Sequence, residues 1–358
     1  MQQVHDLMTR AVAEKIFPGG VLLVSKDGIK LFFRAYGKAD VFSDRAMTKD
    51  TVFDLASLTK PLATTLAVMK LIETGHLDLD QTIGSYLPCL GGTDKASIQV
   101  QHLLYHNSGL PAYRPYFKAL AKFPFEMRET RLREFLIREP LESRVGDQVR
   151  YSDLGFMLLR WIVEEVSHMR LDRFVAEKIY KPLGLSDLFF IDRTTEPPHK
   201  RYAATEKCPW RNQVMEGAVH DDNAWVIGGI AGHAGLFGTA GDLHRLINEL
   251  LWTYHGQPSV VFQQPLLQKF FKPLKPLYNK ERALGFDMPS TRESSAGRYF
   301  SRKSVGHLGF TGTSFWMDLG RRVIVILLTN RIHPSRNNDC IKAFRPHLHD
   351  AVMTHVLS

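Results

Sequence analysis

Two predicted β-hairpins, one near each end of the chain, constrain the fold of this sequence most. Residues 20–25 and 29–35 are apolar, strand-forming runs, and a Lys-Asp-Gly tight turn at 26–28 joins them. A second pair of such runs, 313–318 and 323–328, surrounds a Gly-Arg-Arg turn. Because mostly helical sequence separates the hairpins, we expect one antiparallel sheet built from both ends of the chain and flanked by helices.

This pattern predicts an α/β (α+β) fold in two parts. The sheet domain would comprise residues 1–56 and 246–358, with a closing helix over 336–357, and a mostly helical domain would occupy residues 57–245. The segment 113–142 is rich in Arg, Lys, Phe and Tyr. It is either a lid over the site or a pair of exposed amphipathic helices.

Composition limits the class of protein. The 358 residues are 44% apolar and 23% charged, which is ordinary for a globular enzyme. The formal net charge is +9, but the basic residues are dispersed and no nucleic-acid-binding motif is present, so we expect no nucleic-acid partner. Attraction of an acidic substrate or simple solubility explains the charge. No window has the roughly 18 apolar residues that span a bilayer, so we expect no integral membrane segment.

Two features predict a cytoplasmic location. The first residues lack the basic start and apolar stretch of a secretory signal. Cys89, Cys208 and Cys340 are widely scattered, which fits neither a disulfide framework nor a thiolate zinc site. A mature exported chain whose signal has been removed is the alternative.

Ser57 and Lys60 form the first candidate catalytic pair, in the segment Phe-Asp-Leu-Ala-Ser-Leu-Thr-Lys at 53–60. At a helix start, residues i and i+3 share one face, so the hydroxyl and the amine would line one wall of a pocket. A serine hydroxyl becomes a good nucleophile only when a nearby base takes its proton. Alone, this pair is common in solvated helices and indicates little.

Two later segments extend the pattern. Tyr151 is followed two residues later by Asp153, and His307-Leu308-Gly309 lies in a glycine-rich stretch before a strand. With Ser57 and Lys60, these elements resemble the S-x-x-K, S-D-N and K-T-G motifs of the serine β-lactamase and penicillin-binding protein superfamily. The resemblance is to the branch that contains class C β-lactamases, D-alanyl-D-alanine peptidases, D-aminopeptidases and esterases. It covers residues 17–334.

The resemblance implies a role for each motif residue. Ser57 would form an acyl-enzyme in a cleft between the two domains, and the backbone N–H groups of Ser57 and Phe310 would hold the oxyanion. Tyr151 would shuttle the proton between Ser57 and the leaving group, and either Lys60 or Tyr151 would be the first base. His307 stands where the third motif often has Lys, so it would set the local potential with a charge that depends on pH.

Two residues depart from the resembled pattern. Asp153 replaces the usual Asn, and an ionised Asp only accepts hydrogen bonds. It would hold Lys60 protonated or accept from a substrate N–H or ammonium group. Leu308 replaces a Thr whose hydroxyl helps to hold a substrate carboxylate. Both changes make β-lactam turnover a less favoured activity.

Five further residues are predicted to bind substrate. Gly309 would let the substrate backbone lie against the strand. Arg331, whose planar fork matches a carboxylate, and its neighbour His333 lie where related enzymes hold that group. Asn223 and His233 lie in two clusters, His-Asp-Asp-Asn-Ala and Gly-His-Ala-Gly-Leu-Phe, which resemble a subgroup associated with bacterial cell-wall amide hydrolysis.

A metal site is the alternative for the same clusters. His220, Asp221 and His233 are chemically able to bind one. Because a serine mechanism needs no metal, we expect no metal and no cofactor.

The sequence therefore predicts a serine hydrolase that cleaves an amide or ester through a Ser57 acyl-enzyme. The expected substrate is a small molecule or short peptide derived from the cell wall or containing D-amino acids. The alternatives are a carboxylesterase on short acyl esters, a β-lactamase, and a non-catalytic penicillin- or muropeptide-binding module.

Overall fold

A computed structural model describes residues 1–274, 282–291 and 293–357 of the chain. In these ranges thirteen β-strands form: β1 Gly19–Lys26, β2 Ile29–Asp40, β3 Arg45–Ala46, β4 Phe53–Asp54, β5 Leu188–Phe190, β6 Lys207–Cys208, β7 Gln213–Val214, β8 Leu236–Gly238, β9 Arg282–Ala283, β10 Phe286–Asp287, β11 Val305–Leu308, β12 Ser314–Asp318 and β13 Val323–Thr329.

The same ranges contain twelve α-helices: α1 Gln2–Ala13, α2 Leu66–Glu73, α3 Ile83–Tyr86, α4 Val100–Leu104, α5 Phe117–Leu120, α6 Phe125–Arg138, α7 Asp153–Ser167, α8 Leu171–Val175, α9 Asp222–Val226, α10 Ala240–Tyr254, α11 Gln264–Phe270 and α12 Ile341–Leu357. None of these helices is long and apolar enough to cross a lipid bilayer.

One eight-stranded antiparallel sheet joins the two ends of the chain. Its strand order is β3-β2-β1-β13-β12-β11-β10-β9, so the first long strand pairs with the last one. In this central pair Gly20 lies opposite Thr329 and Leu23 lies opposite Ile326. The predicted fold class and the predicted sheet from both ends are confirmed.

Successive side chains of the central strands point to opposite faces of the sheet, and both faces are buried. On β1, Val21 and Leu23 join a core with α2, α7 and α10, whereas Leu22 and Val24 join a core with α1 and α12. Because β13 is covered on both faces, all seven of its residues are buried, which explains its unbroken apolar run.

The closing helix begins later than predicted. It was expected from residue 336, but α12 starts at Ile341. Before it, Ser335 Oγ accepts the Asn337 N–H at 3.3 Å and Asn338 Oδ1 accepts the Cys340 N–H at 3.2 Å. Such local side-chain bonds compete with helix formation and place these residues in turns.

The predicted division into two domains stays a prediction. Its second boundary, between residues 245 and 246, falls inside α10, whose apolar face packs in the core shared with the large sheet. The predicted lid, residues 113–142, contains α5 and α6. Its role as a lid likewise stays a prediction.

Candidate active site

Ser57 lies on a tight turn that is fixed from several sides. The turn is a short 3₁₀ helix, Ala56–Leu58, directly after β4, and Ala56 has a positive φ of 49°. Asp54 Oδ1 accepts the Ala56 N–H at 2.8 Å, and Thr59 Oγ1 donates to the Ala56 carbonyl at 2.6 Å. These bonds hold a conformation that alanine rarely adopts and present Ser57 at a cavity.

Lys60 is completely buried beside this turn. Its Nζ lies 3.1 Å from Ser57 Oγ, 2.7 Å from Asp153 Oδ1 and 3.2 Å from the His233 carbonyl oxygen. The i, i+3 spacing therefore brings the hydroxyl and the amine together, although the segment Lys60–Thr65 is a π-helix. The ion pair with Asp153 compensates for burying the ammonium group.

Tyr151 lies just before α7, and its ring packs against groups from the other two motifs. The ring centre is 4.7 Å from Lys60 Nζ and 5.9 Å from the centre of the His307 ring. His106, from the turn after α4, packs on the same phenol with a ring separation of 4.7 Å. The phenol also lies near enough to Ser57 for that hydroxyl to lower the pKa of Tyr151. The three motifs thus meet at one point.

The electrostatics distinguish the two candidate bases. Burial alone lowers the pKa of Lys60, but the charge of Asp153 and the phenol of Tyr151 outweigh it, and the net pKa is raised. Burial raises the pKa of Tyr151, and the Lys60 ammonium opposes this only in part. At neutral pH the arrangement therefore consists of an ammonium–carboxylate pair beside a neutral phenol.

His307 lies on β11 and is buried. Its Nδ1 is 2.8 Å from the Leu308 carbonyl oxygen, an acceptor, so Nδ1 carries a proton. Burial lowers the pKa of His307 to about 4; Asp287 opposes this effect, and Lys60 and Arg282 add to it. The third motif therefore presents a neutral ring at neutral pH, where a lysine would present a cation.

Two cavities of opposite charge meet at Ser57. Both are lined by Ser57, Tyr151 and Phe310. The first, about 370 Å³, has acidic walls supplied by Asp153, Asp221 and Asp222, with Arg336 as its one cation among the described residues. The second, about 340 Å³, has basic walls supplied by Arg331, Lys342 and Arg345, together with Asp287 and the ring of His307.

Asp221 lines the acidic cavity and pairs with His233, whose carbonyl oxygen contacts Lys60. His233 Nε2 is 3.0 Å from Asp221 Oδ1, and one ligand atom each from Asp153, Asp221 and His233 lies within 4.8 Å of the others. His220, which the sequence grouped with them, instead pairs with Glu206 at 3.0 Å. The Lys60 ammonium contacts Asp153, so the protein's own cation already balances negative charge in this acidic group.

Asn223 holds the segment before α5. Its Oδ1 accepts the Phe117 N–H and its Nδ2 donates to the Arg114 carbonyl oxygen, both at 2.9 Å. The amide is buried, and main-chain groups already use both of its ends. The geometry favours a positioning role, and direct binding of substrate by Asn223 stays a prediction.

Gly309 makes room for the protein's own groups. A Cβ at this position would lie 2.0 Å from Thr313 Oγ1 and 2.7 Å from the Leu55 carbonyl oxygen. The missing side chain therefore lets the end of β11 dock against the Ser57 turn, a reason different from the one inferred from sequence. Contact of Gly309 with substrate stays a prediction, as does the oxyanion site formed by the N–H groups of Ser57 and Phe310.

Arg331 and His333, the two C-terminal candidates for substrate binding, already form hydrogen bonds within the protein. Arg331 Nε donates to the Phe310 carbonyl oxygen at 2.9 Å, and its Nη1 donates to the Asn338 carbonyl oxygen at 2.7 Å. His333 Nδ1 lies 2.7 Å from the Thr205 carbonyl oxygen, and its Nε2 accepts the Val41 N–H at 3.0 Å. Arg331 lines the basic cavity, whereas His333 lines neither cavity, so the geometry gives its predicted role in binding no support.

The sequence did not indicate three basic residues at the site. The guanidinium carbon of Arg282 lies 5.3 Å from the centre of the Tyr151 ring, and Arg282 pairs with Asp287. Lys342 and Arg345 begin α12 and line the basic cavity. Their i, i+3 spacing on one helix face was the available signal, whereas no local pattern distinguishes Arg282.

A serine hydroxyl that contacts a buried amine, beside a phenol and at the meeting point of two cavities, defines a serine hydrolase of the acyl-transfer type. The chain belongs to the beta-lactamase family, whose pattern matches residues 4–343.

Two relatives extend over most of the chain. It is 31% identical to an N-acetylmuramyl-L-alanine amidase of Bacillus subtilis (strain 168), over 93% of this chain and 81% of the relative. It is also 31% identical to a putative D-alanyl-D-alanine carboxypeptidase of Escherichia coli (strain K12), over 91% of this chain and 82% of the relative.

Solved structures share the fold. EstCE1, a hydrolase with promiscuous acyltransferase activity, superposes with a TM-score of 0.75 at 22% identity and covers 96% of this chain and 98% of its own. An octameric penicillin-binding protein homologue from Pyrococcus abyssi superposes with a TM-score of 0.74 at 21% identity, over 97% of this chain and 77% of its own.

Proposed function

We propose that this serine hydrolase cleaves an acyl bond in a small, carboxylate-bearing peptide derived from the cell wall, through an acyl-enzyme on Ser57. The contact of Lys60 Nζ with both Ser57 Oγ and Asp153, beneath the Tyr151 phenol, carries the proposal. The names of the amidase and carboxypeptidase relatives support a cell-wall substrate.

In the acylation step Ser57 Oγ attacks the substrate carbonyl carbon, and its proton passes to the phenolate form of Tyr151, which is the minor form at neutral pH. Lys60 is held as an ammonium by Asp153, so it stabilises negative charge on the phenol oxygen and does not accept the proton itself. The N–H groups of Ser57 and Phe310 hold the oxyanion. Tyr151 then protonates the leaving group, the bond from carbonyl carbon to leaving group breaks, and the acyl group remains on Ser57.

In the deacylation step water attacks the acyl-enzyme ester. Tyr151 takes a proton from the water and returns one to Ser57 Oγ, which releases the carboxylic acid. The same residues therefore serve both halves of the reaction in reverse order.

The basic cavity is our proposed site for the substrate carboxylate. Arg345 is buried there, and its Nε has no hydrogen-bond partner among the described residues. Burial lowers the pKa of Arg345 to about 10, so it remains a cation at neutral pH. Arg331 is already bonded to carbonyl oxygens, so Arg345 is better placed than Arg331 to bind the carboxylate. Lys342, which pairs with Asp339, adds positive charge at the same cavity.

A cytoplasmic location remains part of the proposal. It is supported by the three cysteines, all of which are free thiols.

The first test is Ser57→Ala with p-nitrophenyl acetate as the substrate. We expect hydrolysis to fall at least about 1,000-fold, because the nucleophile is lost, and mass spectrometry should find an acyl adduct on Ser57 of the wild type only. Ser85→Ala, at an exposed serine that lines neither cavity, is the control.

The second test compares substrates. Purified muropeptides should be hydrolysed faster than the β-lactam nitrocefin. The reverse order would favour a β-lactamase, and a Ser57→Ala enzyme that keeps full activity would refute the nucleophile.

A further inference from the structure

One ring nitrogen of His307 has no partner among the described residues, at the cavity proposed above for the substrate carboxylate. His307 is 2% exposed, and its ring lines the basic cavity together with Ser57 and Tyr151. Nδ1 is bonded to the Leu308 carbonyl oxygen at 2.8 Å. Nε2 is buried and has no hydrogen-bond partner in the part of the chain that the structure describes.

The tautomer determines what this nitrogen can bind. A carbonyl oxygen only accepts, so the ring proton is on Nδ1, and Nε2 of the neutral ring carries a lone pair. Burial, with the nearby cations Lys60 and Arg282, keeps the pKa of His307 at about 4 despite Asp287, so the ring stays neutral at pH 7. Within the described ranges Nε2 is therefore a buried acceptor without a donor, which is an unfavourable state that a ligand can relieve.

Of the two candidate substrate classes, amides and esters, only an amide provides a hydrogen-bond donor for Nε2. An amide carries an N–H on the atom next to the carbonyl that Ser57 attacks, whereas an ester carries an oxygen without a proton. A lysine, the usual residue at this place in the resembled motif, only donates and cannot make this distinction. A site that is built to bond an N–H rejects the analogue without it more strongly than an apolar pocket does.

We infer that His307 Nε2 accepts the N–H of the leaving nitrogen, so that this enzyme selects amides over the corresponding esters. The inference rests on the proposed function. In the tetrahedral intermediate the nitrogen N–H points at His307 while its lone pair receives the proton of Tyr151. The carbon–nitrogen bond then breaks, a neutral amine leaves, and the Ser57 ester remains.

The test uses a matched pair of substrates, N-acetylmuramyl-L-alanine and its analogue with L-lactate, which differ only in NH against O at the scissile bond. His307→Phe keeps a ring but removes the acceptor, and His307→Lys introduces a donor. We expect each change to lower kcat/KM for the amide about 10- to 100-fold further than for the ester.

His307→Gln tests the acceptor itself, because its side-chain oxygen can also accept a hydrogen bond. We expect it to restore most of the wild-type ratio of amide to ester cleavage. Thermal unfolding of each variant shows whether the fold is kept, and the ratio is insensitive to the fraction of folded enzyme.

Other outcomes would overturn the inference. Equal losses on both substrates would place His307 at Tyr151 or at the hydrolytic water instead, and a wild type that cleaves the ester but not the amide would contradict amide selection. Failure of the proposed function is separate: it would appear as p-nitrophenyl acetate hydrolysis that survives Ser57→Ala.

Discussion

Asp153 determines the charge state of the residues around Ser57. Its carboxylate lies 2.7 Å from Lys60 Nζ, and its negative charge raises the pKa of both Lys60 and Tyr151. The side chain is 17% exposed and lines the acidic cavity, so it can also meet substrate. The Asn that the resembled motif carries would have neither electrostatic effect.

The pH dependence of hydrolysis should follow from this arrangement. Below the raised pKa of Tyr151 the phenol is neutral, and its basic form increases about tenfold per pH unit. We therefore expect kcat/KM to rise with pH above 7. In Asp153→Asn the loss of a negative charge favours the phenolate, so the rising limb should move to lower pH, as measured by the pH profile of kcat/KM.

Asp153→Glu, which keeps the charge, is the matched control. The Asn variant should also unfold more easily, by roughly 3 kcal/mol in urea titrations, because it leaves a buried ammonium without its carboxylate. An unchanged pH profile in Asp153→Asn would mean that Tyr151 is not the base.

At the level of elements, the end of β11 and the residues after it dock on the Ser57 turn. Thr311 Oγ1 donates to the Asp54 carbonyl oxygen at 2.8 Å, and Thr313 Oγ1 donates to the Leu55 carbonyl oxygen at 3.1 Å. These bonds join the Ser57 turn to the third motif, and Gly309 lets the two backbones approach.

Gly309→Ala should disturb this docking. The new methyl group would lie within 3 Å of Thr313 Oγ1 and the Leu55 carbonyl oxygen, so β11 must shift. We expect about 1–3 kcal/mol of lost stability and a fall of roughly 100-fold in kcat/KM, because small misplacements of reacting groups are costly. Urea unfolding and p-nitrophenyl acetate hydrolysis measure the two effects.

Gly241→Ala is the matched control within α10. A Cβ there meets only Thr239 Oγ1 at an ordinary 3.8 Å, and alanine favours the helix. Activity should be kept and stability slightly increased. Equal behaviour of the two variants would contradict the docking argument.

At the level of the whole molecule, neutral histidines lie buried against the large sheet and its helices. His244 Nε2 lies 2.8 Å from Ser25 Oγ on β1, and His349 Nδ1 on α12 lies 2.8 Å from the Ser295 carbonyl oxygen. Burial lowers the pKa of each, and of His307, to about 4.

The protein should therefore lose stability in mild acid. These rings stay neutral in the folded state down to about pH 4, whereas in the unfolded chain they gain a proton near 6.5. The unfolded state thus binds more protons between these values. The contribution of these histidines to the free energy of unfolding is therefore fully present above about pH 6.5 and is lost as the pH decreases towards 4. For His307 and His349 the difference corresponds to about 3 kcal/mol each.

Urea unfolding between pH 7 and pH 4.5 measures the slope of the free energy of unfolding against pH. His349→Gln should flatten it, because one buried imidazole is gone, and the exposed His347→Gln on the same helix is the control. A slope that is the same in wild type and in His349→Gln would contradict the argument.

The sequence by itself determined the elements that depend on local pattern. The apolar runs and the turn at 26–28 specified the first hairpin, and the i, i+3 spacing placed Ser57 beside Lys60. The motif resemblance identified Tyr151 and His307 as their companions. Each of these depends on residues close in sequence or on a known order of motifs.

Only the tertiary structure decided the properties that depend on distant neighbours. The charge of Lys60 depends on Asp153, 93 positions later in the numbering, and the neutral state of His307 depends on its burial. Strand order and helix packing bring Arg282 and Arg345 to the site. Asn223, Arg331 and His333 already form hydrogen bonds with groups of the protein itself. Burial and Coulomb interactions act through space, so a linear pattern cannot specify them.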